Sequence, residues 1–234
     1  MSIGNVTQRT LRGGDGRLFP AYLIGFDAEA FDPTLYSISA VACPPSVVRS
    51  VRKRQAEFYF GRLAARHALS ALGVAPVDIP VGPLREPVWP EGIIGSITHA
   101  QGIAAAAVVR NTSHAGVGID IEGIVTAESQ AALLATVVSG DELAYLLTLA
   151  CVLPLNTLLT IVFSAKESLF KGSFRAVGGF FDFSAAGVTH VDIEQKCLSL
   201  TLLETLSPAF VRTQVFKVYF DFIQDDIVIT SFAW

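Results

Sequence analysis

From Leu143 to Ala165 the chain runs for 23 residues without a charged side chain. A stretch of that length either spans a bilayer or lies buried inside a folded protein. Pro154, Leu155 and Asn156 interrupt it, and a proline inside a helix removes a hydrogen bond and clashes with the preceding turn. The segment therefore predicts two buried or amphipathic helices joined by a turn, with no stable membrane insertion. The rest of the chain agrees: 51% hydrophobic against 16% charged residues means that much apolar surface must be hidden between layers, and it excludes disorder. With 234 residues there is enough chain for one large domain or two small ones.

A formal net charge of -4 gives no global attraction for nucleic acid, although local basic clusters can still bind phosphates. Cys43, Cys151 and Cys197 are widely separated, form no CxxC pair and share no zinc-like spacing with the four histidines. That pattern fits a reducing compartment, and the N-terminal MSIGNVTQRTLRGGDGR lacks the apolar core of a signal peptide. A cytoplasmic monomer is the expectation.

Residues 18–42 alternate apolar and small polar side chains with turn signals at Pro20 and Asp32-Pro33, and read as short strands and turns. Pro44-Pro45-Ser46 stops that pattern. Ser46 is a candidate cap for a helix running to Leu72, where Gly73 ends it. Ile93 to Thr98 and Gly102 to Val109 predict adjacent strands, and the polar Arg110 to Ala115 predicts a boundary between halves 1–112 and 113–234. The second half should hold a strand at Val117 to Glu122 and helices from Ser139 and through Phe163 to Phe174. Strands at 188–203, 211–220 and 227–232 should follow. Long helices mixed with short strands in each half indicate α+β rather than doubly wound α/β.

In Val117-Gly118-Ile119-Asp120-Ile121-Glu122 the side chains alternate across a strand, so Asp120 and Glu122 share the face opposite Val117, Ile119 and Ile121. Two carboxylates on one face suit a hard cation such as magnesium. An ordinary solvated outer face is the competing reading. A third carboxylate shifts the balance: Phe163, Glu167, Phe170, Lys171 and Phe174 recur at three- and four-residue steps along one helix side. An ionised Glu167 on that apolar stripe needs a partner, and Lys171 one turn on compensates it only in part. The alternative is a surface Glu-Lys pair.

Arg49, Arg52, Lys53 and Arg54 open the long helix, and Arg62 and Arg66 share one of its faces; guanidinium forks suit terminal phosphates, although a solvated charged face has the same pattern. In Ile94-Gly95-Ser96-Ile97-Thr98-His99, a glycine permits close backbone approach and polar donors follow.

Four blocks stand in order: RKRQAEFYFGRLAARHAL from Arg52, EPVWPEGIIGSITHAQG from Glu86, GVGIDIE from Gly116 and FSAKESLFKG from Phe163. Together they resemble the 4'-phosphopantetheinyl transferases, in particular the group that contains the enterobactin-synthetase enzyme. The resemblance implies a pseudo-dimer of two similar α+β halves with the active site at their junction. It implies that Asp120, Glu122 and Glu167 ligate Mg2+. It further implies that Arg54, Arg62, Thr98 and His99 meet the 3'-phosphoadenosine end of coenzyme A, with Asp120, Lys166 and Lys171 at its phosphates. The loop before Glu86 carries Arg85 but not the lysine that relatives often place there.

The implied reaction moves 4'-phosphopantetheine from coenzyme A to a serine of an apo carrier protein and releases 3',5'-adenosine bisphosphate. Glu167 would act as base, and Lys171 would stabilise the leaving phosphate. A siderophore or nonribosomal-peptide carrier is the first expectation, with polyketide or fatty-acid carriers as alternatives. Another magnesium-dependent phosphoryl-transfer enzyme or a phosphohydrolase is the competing reading of the same carboxylates.

Overall fold

A computed structural model describes residues 5–234. Its contacts divide the chain into two compact units. One holds the chain up to Leu11 together with Leu18–Ala115, and the other holds Arg12–Arg17 and Gly116–Trp234.

The first unit is built from β1 (Val6–Arg12), β2 (Leu18–Gly25), two single-turn helices α1 (Leu35–Ile38) and α2 (Pro45–Val48), the long α3 (Arg52–Ala71), β3 (Ile93–Ala100) and β4 (Ile103–Arg110). Its sheet has the order β1-β2-β4-β3, with antiparallel pairing on both sides of β4. β4 reads IAAAAVVR, and Ala104 to Ala107 are fully buried. Short side chains there let α3 lie close to the sheet. On α3, Ala64, Ala65 and Ala68 face Ala104, Ala106 and Val108 in a common core. Gly61 approaches β3 so closely that a Cβ would stand 2.9 Å from Ile97. Phe31, Tyr36, Tyr59 and Phe60 close the far end with edge-on ring contacts, a geometry that adds roughly 0.5–1.5 kcal/mol per pair beyond burial.

The long helix predicted from Ser46 is broken. Pro44-Pro45 starts α2, which stops at Val48, and α3 begins afresh after Val51 with no side-chain cap. Ser50 bonds back to the Val47 carbonyl, and the Gln55 side chain binds the carbonyls of Val48 and Ser50, so local polar groups hold the break. Gly73 lies just beyond α3 at φ +73, the left-handed turn that glycine tolerates best.

The second unit contains β5 (Val117–Gly123), α4 (Ala127–Thr136), α5 (Gly140–Leu149), α6 (Leu155–Val177), β6 (Ala186–Asp192), β7 (Cys197–Leu202), β8 (Val215–Gln224) and β9 (Ile227–Ala233). Its antiparallel sheet has the order β5-β9-β8-β7-β6. The uncharged segment resolves as expected into two helices, α5 and α6, parted at Pro154. Among the described residues no helix is long and apolar enough to cross a membrane. Leu158, Leu159, Ile161, Val162, Ala165 and Leu169 of α6 pack into a core with Leu198, Leu200, Val218, Val228 and Phe232. Each fully buried Leu or Ile contributes roughly 1.5–3 kcal/mol.

Two devices press α6 onto the sheet. Gly118 on β5 faces the helix backbone, and a Cβ there would sit 1.9 Å from the Ser168 carbonyl and 2.6 Å from the Gly172 nitrogen. Thr230 on β9 donates to the Ser164 carbonyl at 2.8 Å, which leaves its oxygen to accept from the hydroxyls of Ser164 and Ser168 at 2.9 and 2.7 Å. The loop Arg12–Arg17 adds to this unit: Gly14 donates to the Ala233 carbonyl, Ser231 to the Arg12 carbonyl, and the Arg12 guanidinium stands 5.2 Å over the Tyr219 ring. Both units are thus mixed helix-and-sheet layers of the α+β kind.

Candidate functional site

Strand alternation on β5 is as expected, but the second face is not solvated. Asp120 is only 3% exposed, and Glu122 is half-buried beside it. Lys171 reaches from α6 to Asp120 Oδ1 at 2.5 Å. Glu167 lies one turn before Lys171 on the same helix side. Burial pushes the Glu122 carboxyl from 4.5 up to about 7, the charges of Asp120 and Glu167 push it the same way, and Lys171 opposes them. Glu167 is likewise raised, by burial first and by Asp120, against the pull of Lys171. β5 and α6 therefore bring together three carboxylates that repel one another, with one lysine to offset them.

Three carboxylates are an all-oxygen donor set, which suits a hard divalent cation, and their mutual repulsion is the charge such an ion would relieve. Among the described residues no three Asp, Glu, His or Cys side chains stand close enough together, as arranged, to hold an ion. Lys171 would have to leave Asp120 Oδ1 for a metal to take that oxygen. The residues fit magnesium in charge and donor type, but to share an ion the carboxylates would have to draw closer together as well as lose Lys171 from Asp120.

Of the phenylalanine stripe of α6, Phe163 packs against the core, whereas Phe170 and Phe174 do not join it. Leu158, Ile161, Ala165 and Leu169 bury, whereas Glu167 and Phe170 border a cleft of about 240 Å3 closed by Phe180, Phe181, Asp182 and Phe183. Phe170 stacks on Phe180 with ring centres 5.7 Å apart and meets Phe181 edge-on at 5.2 Å. Phe180 is 67% exposed, so the cleft has an unusually bare apolar rim. Sequence reasoning missed this wall; its signal was the Phe180-Phe181 doublet after Gly178-Gly179, where the chain leaves α6 through a left-handed residue.

Lys166 departs from the expected phosphate contact. It borders the cleft, yet its side chain is 2% exposed, and its ammonium is spent on Glu142 Oε1 at 2.9 Å and the carbonyls of Val137 and Phe183 at 2.7 and 3.2 Å. An ammonium has three protons, and three protein oxygens take them.

In the first unit the structure brings Arg54 and His99 together. Arg54 Nη1 donates to His99 Nε2 at 2.8 Å, which puts the ring proton on Nδ1, 3.7 Å from Glu57 Oε2. Glu57 also lies 3.6 Å from Arg54 and was not singled out by sequence. Arg62 is nearly buried, donates from Nε to the Ile79 carbonyl at 2.9 Å and lies 4.4 Å over the Phe58 ring. Burial, then the neighbouring Arg54 charge, lowers it to about 10, so it stays cationic at neutral pH. Arg66 lines the same 380 Å3 pocket as Arg62, but its guanidinium binds the carbonyls of Ser39 and Ala40 and the Asp78 carboxylate. The expected Arg62-Arg66 clamp is therefore a single available arginine. Thr98 is buried on β3 next to His99.

A carboxylate cluster with a lysine on one unit and cationic side chains around a polar strand end on the other define a class: an enzyme that handles phosphate groups. The comparisons narrow that class. Residues 45–109 match the 4'-phosphopantetheinyl transferase N-terminal domain and residues 116–230 the 4'-phosphopantetheinyl transferase superfamily. The chain is 36% identical over 211 residues to enterobactin synthase component D of Salmonella typhimurium, covering 89% of this chain and 83% of the relative. It is 39% identical over 140 residues to the 4'-phosphopantetheinyl transferase Svp of Streptomyces mobaraensis, covering 60% and 56% respectively. It is 36% identical over 143 residues to the 4'-phosphopantetheinyl transferase Npt of Nocardia iowensis, covering 61% and 62%. The chain belongs to the 4'-phosphopantetheinyl transferase superfamily and is an enzyme of that kind.

Proposed function

We propose that this enzyme takes 4'-phosphopantetheine from coenzyme A and attaches it to a serine of an apo carrier protein, releasing 3',5'-adenosine bisphosphate. The observation that carries the reading is the coupled cluster of Asp120, Glu122, Glu167 and Lys171 beside an aromatic cleft. Relatives named enterobactin synthase component D favour a carrier of siderophore assembly as acceptor.

In this reading Arg54, Arg62, Thr98 and His99 of the N-terminal half, 1–112, receive the 3'-phosphoadenosine end. Arg54 can turn from His99 to a phosphate, and His99 stands beside it. Asp120, Glu122 and Glu167 of the C-terminal half, 113–234, would hold Mg2+, which when bound offsets pyrophosphate charge. The cleft of Phe170, Phe180 and Phe181 takes the uncharged pantetheine arm, leaving the pyrophosphate at its Glu167 end. Glu167, raised by burial, accepts the serine proton as the serine oxygen bonds to the β-phosphorus and the bond to the nucleotide phosphate breaks. Lys171, once clear of Asp120, donates to the departing phosphate oxygen. Lys166 has no part in phosphate binding here.

The test is mass spectrometry of an apo carrier protein incubated with enzyme, coenzyme A and Mg2+. One added phosphopantetheine mass is expected, with loss of transfer in Asp120→Ala by a factor of about 100 or more, the scale of removing a group used in the transition state. Full activity in Asp120→Ala would sink the carboxylate assignment. Phosphate release without carrier modification would favour a phosphohydrolase.

A further inference from the structure

Glu142 and Lys166 form an ion pair in which both side chains are at least nine-tenths buried, and the reaction as described uses neither. Glu142 is the hub. Its Oε2 accepts from the Ser139 nitrogen at 2.7 Å, closing the reciprocal cap that starts α5. Its Oε1 accepts from the Val188 nitrogen of β6 at 2.8 Å and from Lys166. Lys166 in turn holds the carbonyls of Val137, just beyond α4, and of Phe183, the last aromatic residue of the cleft wall. Four segments are thereby tied to α6 at the residue immediately before Glu167.

The arrangement has a functional address. The segment from Gly178 to Asp182 has no regular structure, and its ends are set by the left-handed turn at Gly178 and by the short 3-10 helix Phe183–Ala185. Lys166 fixes the second of those ends through the Phe183 carbonyl. Phe180 and Phe181 hang between the two, so their distance from Phe170 depends on where that carbonyl is pinned. A buried charge pair costs desolvation that an apolar pair would not, which makes it a poor choice for stability alone and a good one for fixing backbone positions.

We infer that Glu142 and Lys166 are positioning residues that set the width of the aromatic cleft beside Glu167, and so determine how well the enzyme holds the pantetheine arm of its donor. The inference rests on the proposal that this cleft takes that arm. It predicts a split: the pair governs the pantetheine end of coenzyme A and leaves the nucleotide end alone, whereas a lysine in contact with phosphate would do the reverse.

The experiment compares wild type with the double variant Glu142→Leu, Lys166→Met, in which an apolar pair of similar size removes both charges together. Binding of 3',5'-adenosine bisphosphate is measured by calorimetry, and KM and kcat for coenzyme A are measured with saturating carrier protein. The expected result is affinity for the bisphosphate within about twofold of wild type and KM for coenzyme A raised about tenfold, with kcat changed less than KM. A tenfold loss of bisphosphate affinity would overturn the inference in favour of phosphate contact. An unchanged KM would overturn it in favour of a purely structural pair. Should the double variant fail to fold, Lys166→Met keeps both Glu142 oxygens as acceptors for Ser139 and Val188 and removes the hold on the Val137 and Phe183 carbonyls, and the same two comparisons decide. A wild-type protein that binds neither ligand overturns the transferase reading itself and is separated by that control from any effect of the pair.

Discussion

Glu122 offers a test of the carboxylate cluster that needs no substrate. Its carboxyl rises from 4.5 to about 7 in the folded protein, so between those values the native state holds a proton that the unfolded chain has released. With more protons bound in the native state, stability falls as pH rises through this window. The contribution is full below 4.5 and gone above 7. At 1.36 kcal/mol per unit the whole shift corresponds to ~3 kcal/mol, and discounting for the solvent that reaches a half-buried side chain leaves about 1–2 kcal/mol. Glu122→Gln removes the titration and keeps the shape. Urea unfolding of both proteins at pH 5, 6, 7 and 8, without divalent metal, should show the variant gaining about 1–2 kcal/mol on wild type across the series. For a chain of this size that is a melting difference of about 2–8 °C. Added Mg2+ should narrow the gap at pH 8 by stabilising wild type alone. A flat difference between pH 5 and 8, or one of opposite sign, would refute the crowding of Asp120, Glu122 and Glu167.

Gly118→Ala places a methyl 1.9 Å from the Ser168 carbonyl, and separating β5 from α6 should cost about 3 kcal/mol or more in urea unfolding and lower transfer activity with it. Thr230→Val leaves the hydroxyls of Ser164 and Ser168 short of a buried acceptor and should destabilise by about 1–3 kcal/mol; a change under ~0.3 kcal/mol would deny that network its role. Val51 is 73% exposed and starts α3 without a side-chain cap, ahead of Arg52, Lys53 and Arg54. Val51→Asp supplies both a cap and an opposing charge and should raise stability by about 1 kcal/mol in a thermal melt, with no gain counting against the assigned helix start.

Much of the second unit was legible because its signals are local. Pro154 splits an uncharged run, Ser139 opens α5, and alternation from Val117 to Glu122 gives β5 its two faces. The break at Val48 to Val51 was not legible, since it rests on Gln55 reaching back to two carbonyls, a choice that no periodicity announces. At the site, sequence spacing gave the three carboxylates, and the resemblance supplied their roles. It misdirected at Lys166: position next to Glu167 suggests shared chemistry, but successive helix residues point about 100° apart, and that rotation turns Lys166 inward to Glu142. Arg66 failed for a related reason. Its face on α3 was right, but the carbonyls of Ser39 and Ala40 come from a segment whose return to the helix cannot be read from the chain itself.

The loop Arg12–Arg17 has a consequence for how the molecule is made. Ser231 to Arg12 is a contact across 219 residues, among the costliest loop closures a chain of this length can ask for. The second unit stays incomplete until Arg12–Arg17 meets strands that follow it by most of the chain's length. On the ribosome the loop must wait for β8 and β9, which are made long after it, so this docking comes late in maturation. A fragment begun at Gly116 would carry every proposed metal ligand and still lack the partners of Ser231 and Ala233. It should fold more slowly and melt lower than the same residues in the full chain, and supplying the N-terminal half as a separate polypeptide should restore part of that loss.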